Sequence, residues 1–381
     1  MKKAIITTLF ICWLFFLQTM GQPYAIGERV TMKSDLLDET RSILVYTPET
    51  YDLGAEHYPV MYLLDGTAHF HHVSGIVRFL AGNGLIPEMI IVAIENTDRI
   101  RDLSPTKDRR WETSGGAGQF MNFLTEELIP FVERGYRTEP YRILVGHSLG
   151  GEFAVYSLLY HPRVFNAYIA ISPYLLYDDD YLVKQAKSKL KGKYDHVRFY
   201  MTVGNEPPYF ASLAEFEKIV QDKRPEGFAF RYVKYPDEDH GSNPHQSIYE
   251  GLEWIFEGWK VGNDIFSKGL AAIDAHYAGL SENYGLEIKT PEYLINLMGY
   301  NYLNKKDLET AIVIFRENVK RYPKSANVYD SLGEALEKSS EFEEAEANYR
   351  KAVEIATAQN HPNLPIYKTN QERVQALLSG S

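Results

Sequence analysis

The stretch Tyr141 to Val145 reads as a strand, and it runs directly into Gly146-His147-Ser148-Leu149-Gly150-Gly151. Behind that string Phe153, Ala154, Ser157 and Leu158 recur at helical spacing. A Gly-x-Ser-x-Gly string at a strand-to-helix turn constrains the fold more than anything else in the chain. The turn is tight enough that residues two positions either side of the serine would collide if they carried side chains, and glycine carries none. The serine is forced onto a strained corner with its hydroxyl free. The helix that starts there aims its positive end at that oxygen.

The surroundings of the string ask for an α/β fold. Pro59 to Leu64 and Met89 to Ile94 are continuous apolar runs, as expected of strands covered on both faces. Arg29 to Lys33, Ser42 to Tyr46, Ala167 to Ser172, His196 to Val203 and Phe228 to Tyr235 read as further strands. A helix is expected from near Gly118. Others are expected over Tyr181 to Leu190, Ala211 to Gln221 and Gln246 to Trp259. Strands alternating with helices imply a mostly parallel sheet with helices on both faces, and ligands on such sheets bind beyond the carboxyl ends of the strands.

A serine at such a corner needs a base and an orienting acid, which follow it in the order acid, then histidine. His240, in Glu238-Asp239-His240-Gly241-Ser242, occupies the loop between the last strand and the last helix and is the expected base. His245 is its nearest rival, but it falls inside the start of the helix. Glu206, in the loop after the strand ending at Val203, is the expected acid; Asp237, Asp239 or a backbone carbonyl are the alternatives. The N–H of Leu149 faces the place where an oxyanion would form. A second donor is expected from the loop Asp65-Gly66-Thr67, at the N–H of Gly66 or Thr67, with Asp65 holding the loop.

The long polar connection from Ile94 to Ala117 should border the cleft. Its arginines, Arg101 among them, are placed to meet an anionic acyl group, and Trp111 to stack on an aromatic one. Asp65, Arg101, Trp111 and His147 are therefore the expected substrate contacts. His69, His71 and His72 lack partners at metal-ligand spacing, so no metal is expected there, and the chemistry requires no cofactor. The short segment between Ala167 and His196 leaves no room for a large lid.

These strings resemble the esterase family of α/β-hydrolases, which includes ferric-siderophore esterases, S-formylglutathione hydrolases, feruloyl and acetylxylan esterases, and mycolyltransferases. The resemblance is carried by Tyr58-Pro59-Val60-Met61-Tyr62-Leu63-Leu64-Asp65-Gly66, by Arg101-Asp102-Leu103-Ser104-Pro105-Thr106, by the serine string and by Asp239-His240-Gly241-Ser242. It covers about Glu28 to Trp259. It implies a serine carboxylester hydrolase with Ser148 as nucleophile and His240 as base, acting on a small-molecule or polysaccharide-linked ester such as a ferric siderophore or a plant-wall acyl ester. An acyltransferase on the same fold, or a scaffold that only binds partners, are the alternatives.

The remainder divides into an export signal and a repeat. Lys2 and Lys3 precede an apolar run from Ala4 to Leu17 that is too short to span a bilayer, and Gly21 offers a cleavage site, with Ala25 a second one. Residues 1–21 are thus expected to be a signal peptide, and the protein to be periplasmic or secreted with no membrane span after its removal. The single cysteine, Cys12, lies in that run, which excludes a disulfide framework. A net charge of −11 leaves no electrostatic footprint for nucleic acid. At the other end Gly299 and Gly333 stand one tetratricopeptide period apart. At that offset Tyr302 meets Leu336, Leu308 meets Phe342, Ala311 meets Ala345 and Phe315 meets Tyr349. An α/β-hydrolase domain over 28–259, a helical linker over 260–290 and tetratricopeptide-like repeats over 291–379 are therefore expected. The repeats would serve a protein partner, self-association or packing, with Ile366 to Leu378 as a capping helix.

Overall fold

The structure is a computed structural model that describes residues 24–380, so the expected signal peptide lies outside the described residues. Eight strands form one sheet: β1 (Glu28–Ser34), β2 (Glu39–Tyr46), β3 (Tyr58–Leu63), β4 (Ile90–Ile94), β5 (Thr138–His147), β6 (Ala167–Ile171), β7 (Lys193–Val203) and β8 (Glu226–Lys234). Their spatial order is β1-β2-β4-β3-β5-β6-β7-β8. The first two strands run antiparallel to their neighbours, and every pairing from β4 to β8 is parallel. The apolar runs Pro59 to Leu64 and Met89 to Ile94, predicted as doubly covered strands, are so: every residue of β3 and β4 is buried.

Alternation along the strands divides the sheet's side chains between two cores. Val60, Tyr62, Leu144 and Phe199 face one; Met61, Leu63, Ile143, Val145 and Tyr200 face the other. The covering helices are α1 (Gly66–Gly82), α2 (Arg99–Leu103), α3 (Ala117–Asn122), α4 (Ile129–Gly135), α5 (Leu149–Tyr160), α6 (Tyr181–Lys189), α7 (Phe210–Lys223) and α8 (Asn243–Ile255). The single helix expected from Gly118 is divided: α3 and α4 are separated by a π turn over Phe123–Leu128. Pro130, just inside α4, has no N–H to continue the regular ladder there.

The second core does not end with the sheet. After α9 (Asn263–Phe266), α10 (Leu270–Tyr284) and α11 (Glu292–Asn304) contribute Ile273, Tyr277, Tyr284, Leu294 and Met298 to the same apolar cluster as Met61 and Ile143. Tyr284 packs edge-on against Tyr141 of β5 at 5.8 Å and donates its hydroxyl to the Ile255 carbonyl at 2.9 Å. Trp259 meets Tyr277 edge-on at 5.7 Å. Residues 260–290, expected as a linker, thus include α10, whose buried face completes the sheet's own core.

The repeats follow as helix pairs, α11 with α12 (Leu308–Arg321) and α13 (Ala326–Lys338) with α14 (Phe342–Ala358), closed by α15 (Leu364–Ser379). The 34-residue period has a physical cause in the packing. A Cβ on Gly299 would lie 2.4 Å from the Phe315 ring, and one on Gly333 would lie 2.8 Å from the Tyr349 ring. In both pairs the missing side chain is the space that the partner's aromatic ring fills. Ala311 and Ala345, one per pair, are fully buried where the helices approach.

Candidate active site

β5 ends at His147, α5 begins at Leu149, and Ser148 is the corner between them, with φ of 59°. That left-handed geometry is strained for a residue with a side chain. A Cβ on Gly146 would stand 2.1 Å from the Gly150 carbonyl oxygen, so the collision expected there is real. At Gly150 the expectation is corrected: an added Cβ would meet only Asp65 Oδ2 at 3.2 Å and Leu64 beyond it. The second sterically closed position is Gly151, where a Cβ would lie 2.9 Å from the Ile171 carbonyl oxygen and 3.0 Å from Pro173 Cα. The elbow is squeezed from two sides, by the first turn of its own helix at Gly146 and by the end of β6 at Gly151.

Leu149 and Gly66 open α5 and α1 respectively, so their N–H groups have no acceptor within their own helices. The two helix starts adjoin, since Gly150 sits against Leu64 and Asp65. Asp65 precedes α1 with φ of 54° and is 7% exposed. Its carboxylate accepts from Arg99 Nε at 2.6 Å, Arg99 Nη2 at 2.9 Å and Asn96 Nδ2 at 2.6 Å. Burial opposes that charge, but Arg99 and Asn96 outweigh it and hold the carboxyl below its ordinary range. Arg99 Nη2 also donates to the His147 carbonyl at 3.1 Å, tying the loop after β3 to the elbow.

His240 and Glu206 are brought together: His240 Nδ1 shares a short hydrogen bond with Glu206 Oε1. Glu206 is 7% exposed, and its other oxygen accepts from Ser172 Oγ and from the Gly204 N–H at 3.0 Å. The two loops are stitched by Asn205 N–H donating to the Glu238 carbonyl at 2.6 Å. Asp239 caps its own turn, accepting from the N–H groups of Gly241 and Ser242. His245 lies within α8 and faces His72 at 5.4 Å, away from Glu206.

Ser148 reaches the same corner. The preceding residue, His147, packs its ring 4.4 Å from that of His240. The hydrogen bonds of the described residues include none from Ser148 to His240. Such bonds commonly close only when substrate arrives. Tyr209 lies 5.7 Å from the His240 ring, and burial pushes its phenol up to about 12, so it is a neutral donor at physiological pH.

The cleft has two unlike sides. On one, Tyr209 meets Tyr174 at 5.7 Å, and Tyr174 meets Trp111 at 6.3 Å. Trp111 itself stacks on Tyr177 at 5.4 Å with Arg110 over its ring at 4.9 Å, so it supports this wall from behind. On the other side a pocket of about 280 Å³ is lined by Thr67, His69, Asn96, Arg99 and His147. Arg101 is corrected: it binds Glu39 and Asp102, each at 2.7 Å, in a cluster around the fully buried Arg41. The arginine of the cleft is Arg99.

Tyr174, Tyr209 and Asn96 escaped sequence reasoning, although Tyr209 shares the loop of Glu206 and Asn96 follows the strand end of β4. Ser172, at the carboxyl end of β6, was equally within reach of the strand-end rule. Histidines were undervalued too. His69 Nδ1 and His72 Nε2 are 3.0 Å apart, and His69 meets His147 at 5.8 Å, so a row of rings leads from His240 to His245. Among the described residues no group of three or more His, Cys, Asp or Glu side chains is placed to hold a metal ion.

Residues 34–248, more than half of the chain, match the family described as "Putative esterase". The chain belongs to this esterase family. A second family, Tetratricopeptide repeat, matches residues 326–359. The Ferri-bacillibactin esterase BesA of Bacillus subtilis is 33% identical over 181 residues, which are 42% of this chain and 62% of that protein. The chain therefore spans less than two thirds of that curated relative. An IroE-like serine hydrolase from Shewanella oneidensis is 28% identical with a TM-score of 0.68, covering 77% of this chain and 99% of that one. An uncharacterised protein from Capnocytophaga ochracea, 19% identical, has a TM-score of 0.62 over 92% of this chain and 99% of its own. That likeness concerns the fold, and it extends through the helical repeats of this esterase-family chain.

Proposed function

We propose that the protein is a serine carboxylester hydrolase that works outside the cytoplasm on esters with an aromatic acyl group. The observation that carries the reading is the pairing of His240 Nδ1 with the buried Glu206 carboxylate, beside a serine held at φ of 59°. Ser148 Oγ attacks the ester carbonyl carbon and gives its proton to His240 Nε2. Glu206 accepts from Nδ1–H, which fixes the tautomer and stabilises the imidazolium. The N–H groups of Leu149 and of Gly66 or Thr67 receive the oxyanion. His240 then protonates the departing alcohol, and water repeats the sequence on the acyl-enzyme.

The Tyr174–Tyr209 wall supports an aromatic acyl group, and the pocket around Asn96 and Arg99 supports a hydrogen-bonding alcohol part. The likeness to the Ferri-bacillibactin esterase of Bacillus subtilis makes a siderophore ester the first natural substrate to test. Export is supported by Lys2, Lys3 and the apolar run to Leu17. Among the described residues no helix is long and apolar enough to cross a membrane.

The test compares p-nitrophenyl acetate, p-nitrophenyl benzoates and a ferric catecholate siderophore ester, using the wild type, Ser148→Ala and Glu206→Gln. Hydrolysis abolished by Ser148→Ala and reduced about 10³-fold or more by Glu206→Gln is expected. Full activity in Ser148→Ala refutes the reading. A preference for acetyl over aroyl esters refutes the acyl assignment alone.

A further inference from the structure

Behind Glu206 runs a chain of side chains that the hydrolytic mechanism does not use. Thr202 Oγ1 and Ser247 Oγ are 2.8 Å apart, and Ser247 Oγ donates to Asn243 Oδ1 at 2.5 Å. Asn243 Nδ2 donates to Ser172 Oγ at 2.9 Å, and Ser172 Oγ donates to Glu206 Oε2. Thr202, Ser247, Asn243 and Ser172 are all fully buried, and they come from β7, α8 and the end of β6.

The direction of the chain follows from counting protons. A hydroxyl has one proton to give. Asn243 gives its amide N–H to Ser172, so the Ser172 proton is free to point at the carboxylate. Ser247 gives its proton to the Asn243 oxygen, so it must accept from Thr202. Every donor therefore points one way, and the sequence ends on Glu206. With Ser172 and the Gly204 N–H on Oε2, the free lone pairs of Glu206 are concentrated on Oε1, where His240 Nδ1 binds. A turned Asn243 amide would reverse the order and draw the Ser172 proton away from Glu206.

Buried polar chains add little stability compared with apolar residues of the same shape. Four polar side chains at the back of one carboxylate call for another explanation. We propose that Ser172 and Asn243 are positioning residues: they act through Glu206, fixing its rotamer and its hydrogen-bonding edge so that His240 stays aligned for Ser148. The inference rests on the reading of Glu206 as the acid of the triad.

The experiment is a double-mutant cycle on p-nitrophenyl ester hydrolysis. Ser172→Gly is the principal variant, because Ser172 has φ of 41°, a conformation glycine adopts without strain, so the fold is retained. Ser172→Ala is the second. Each is made in the wild type and in Glu206→Gln. Loss of a hydrogen bond to a carboxylate implies a fall in kcat of about tenfold or more with KM unchanged. In the Glu206→Gln background the same change is expected to move kcat less than about twofold, because the residue through which Ser172 acts is no longer ionised. Equal losses in both backgrounds, or an unchanged kcat in Ser172→Gly, overturn the inference and leave Glu206 as acid intact. An unchanged kcat in Glu206→Gln alone overturns the acid assignment and the inference with it.

Discussion

Replacing His147 with glutamine removes an imidazole that the folded protein keeps neutral. Burial is the main cause, with smaller contributions from the neighbouring His240, His69 and Arg99 that Asp65 only partly offsets, so the folded group is pushed down to about 3 from 6.5. The unfolded chain takes up this proton below pH 6.5, and the folded chain refuses it until about pH 3. The stability that His147 contributes is therefore present above pH 6.5 and is lost as pH falls toward the folded value. Each pH unit in that window removes about 1.4 kcal/mol, so the change from neutrality to pH 5 is on the order of 2 kcal/mol. Urea unfolding of the wild type and His147→Gln at pH 8, 7, 6 and 5 measures it. Glutamine is expected to lose less stability than histidine by about 2 kcal/mol over this range. A gap between the two proteins that stays constant with pH refutes the reasoning. The neutrality also serves catalysis, because a charged ring 4.4 Å from His240 would oppose the imidazolium that forms there when Ser148 is deprotonated.

Three other outcomes are expected. Tyr284→Ala removes a buried ring and a hydrogen bond to Ile255, costing about 4 kcal/mol; esterase activity and repeat helicity should still be lost in one shared urea transition, and two separate transitions contradict the continuous core. Gly333→Ala should lower the melting temperature, because a Cβ 2.8 Å from the Tyr349 ring overpacks by about 1–3 kcal/mol, more than the helix propensity it gains; a raised melting temperature contradicts the gap-filling account. Burial, with Glu334 adding to it, pushes Asp330 up to about 6, so the folded protein keeps a proton that the unfolded chain gives up above 3.8, and the stability this confers fades as pH rises through that range. Asp330→Asn should stabilise the protein at pH 7 by about 3 kcal/mol and leave it unchanged near pH 3.5, as read by chemical denaturation; equal effects at both values contradict it.

The elbow, the alternation of strands and helices along the chain and the repeat period were legible because each is enforced by local sterics or periodicity. Gly146 announces a collision at 2.1 Å, and Gly299 and Gly333 announce rings at the same spacing. The loops that carry His240 and Glu206 were legible, and the structure pairs the two side chains. What escaped was lateral. Arg101 and Arg99 differ by two positions, and only the pairing of Arg41 with Asp102 decides that Arg101 turns away from the cleft. Tyr174, Ser172 and Asn243 meet Tyr209 and Glu206 across strands that are adjacent in space and distant in sequence, and no periodicity records that. The elbow glycine argument failed at Gly150 for the same reason, since Gly151 is confined by β6, a neighbour that the chain reaches only later.

The core that passes from Met61 through Tyr284 to Met298 leaves no hinge between sheet and repeats. A flexible tether would let a guest on the repeats sample a sphere around the cleft, at a local concentration set by tether length. Here the guest's distance from Ser148 is a fixed property of the fold. A ligand of the repeats is thus either always within reach of the nucleophile or never, and lengthening the 285–291 turn would be the way to convert one case into the other.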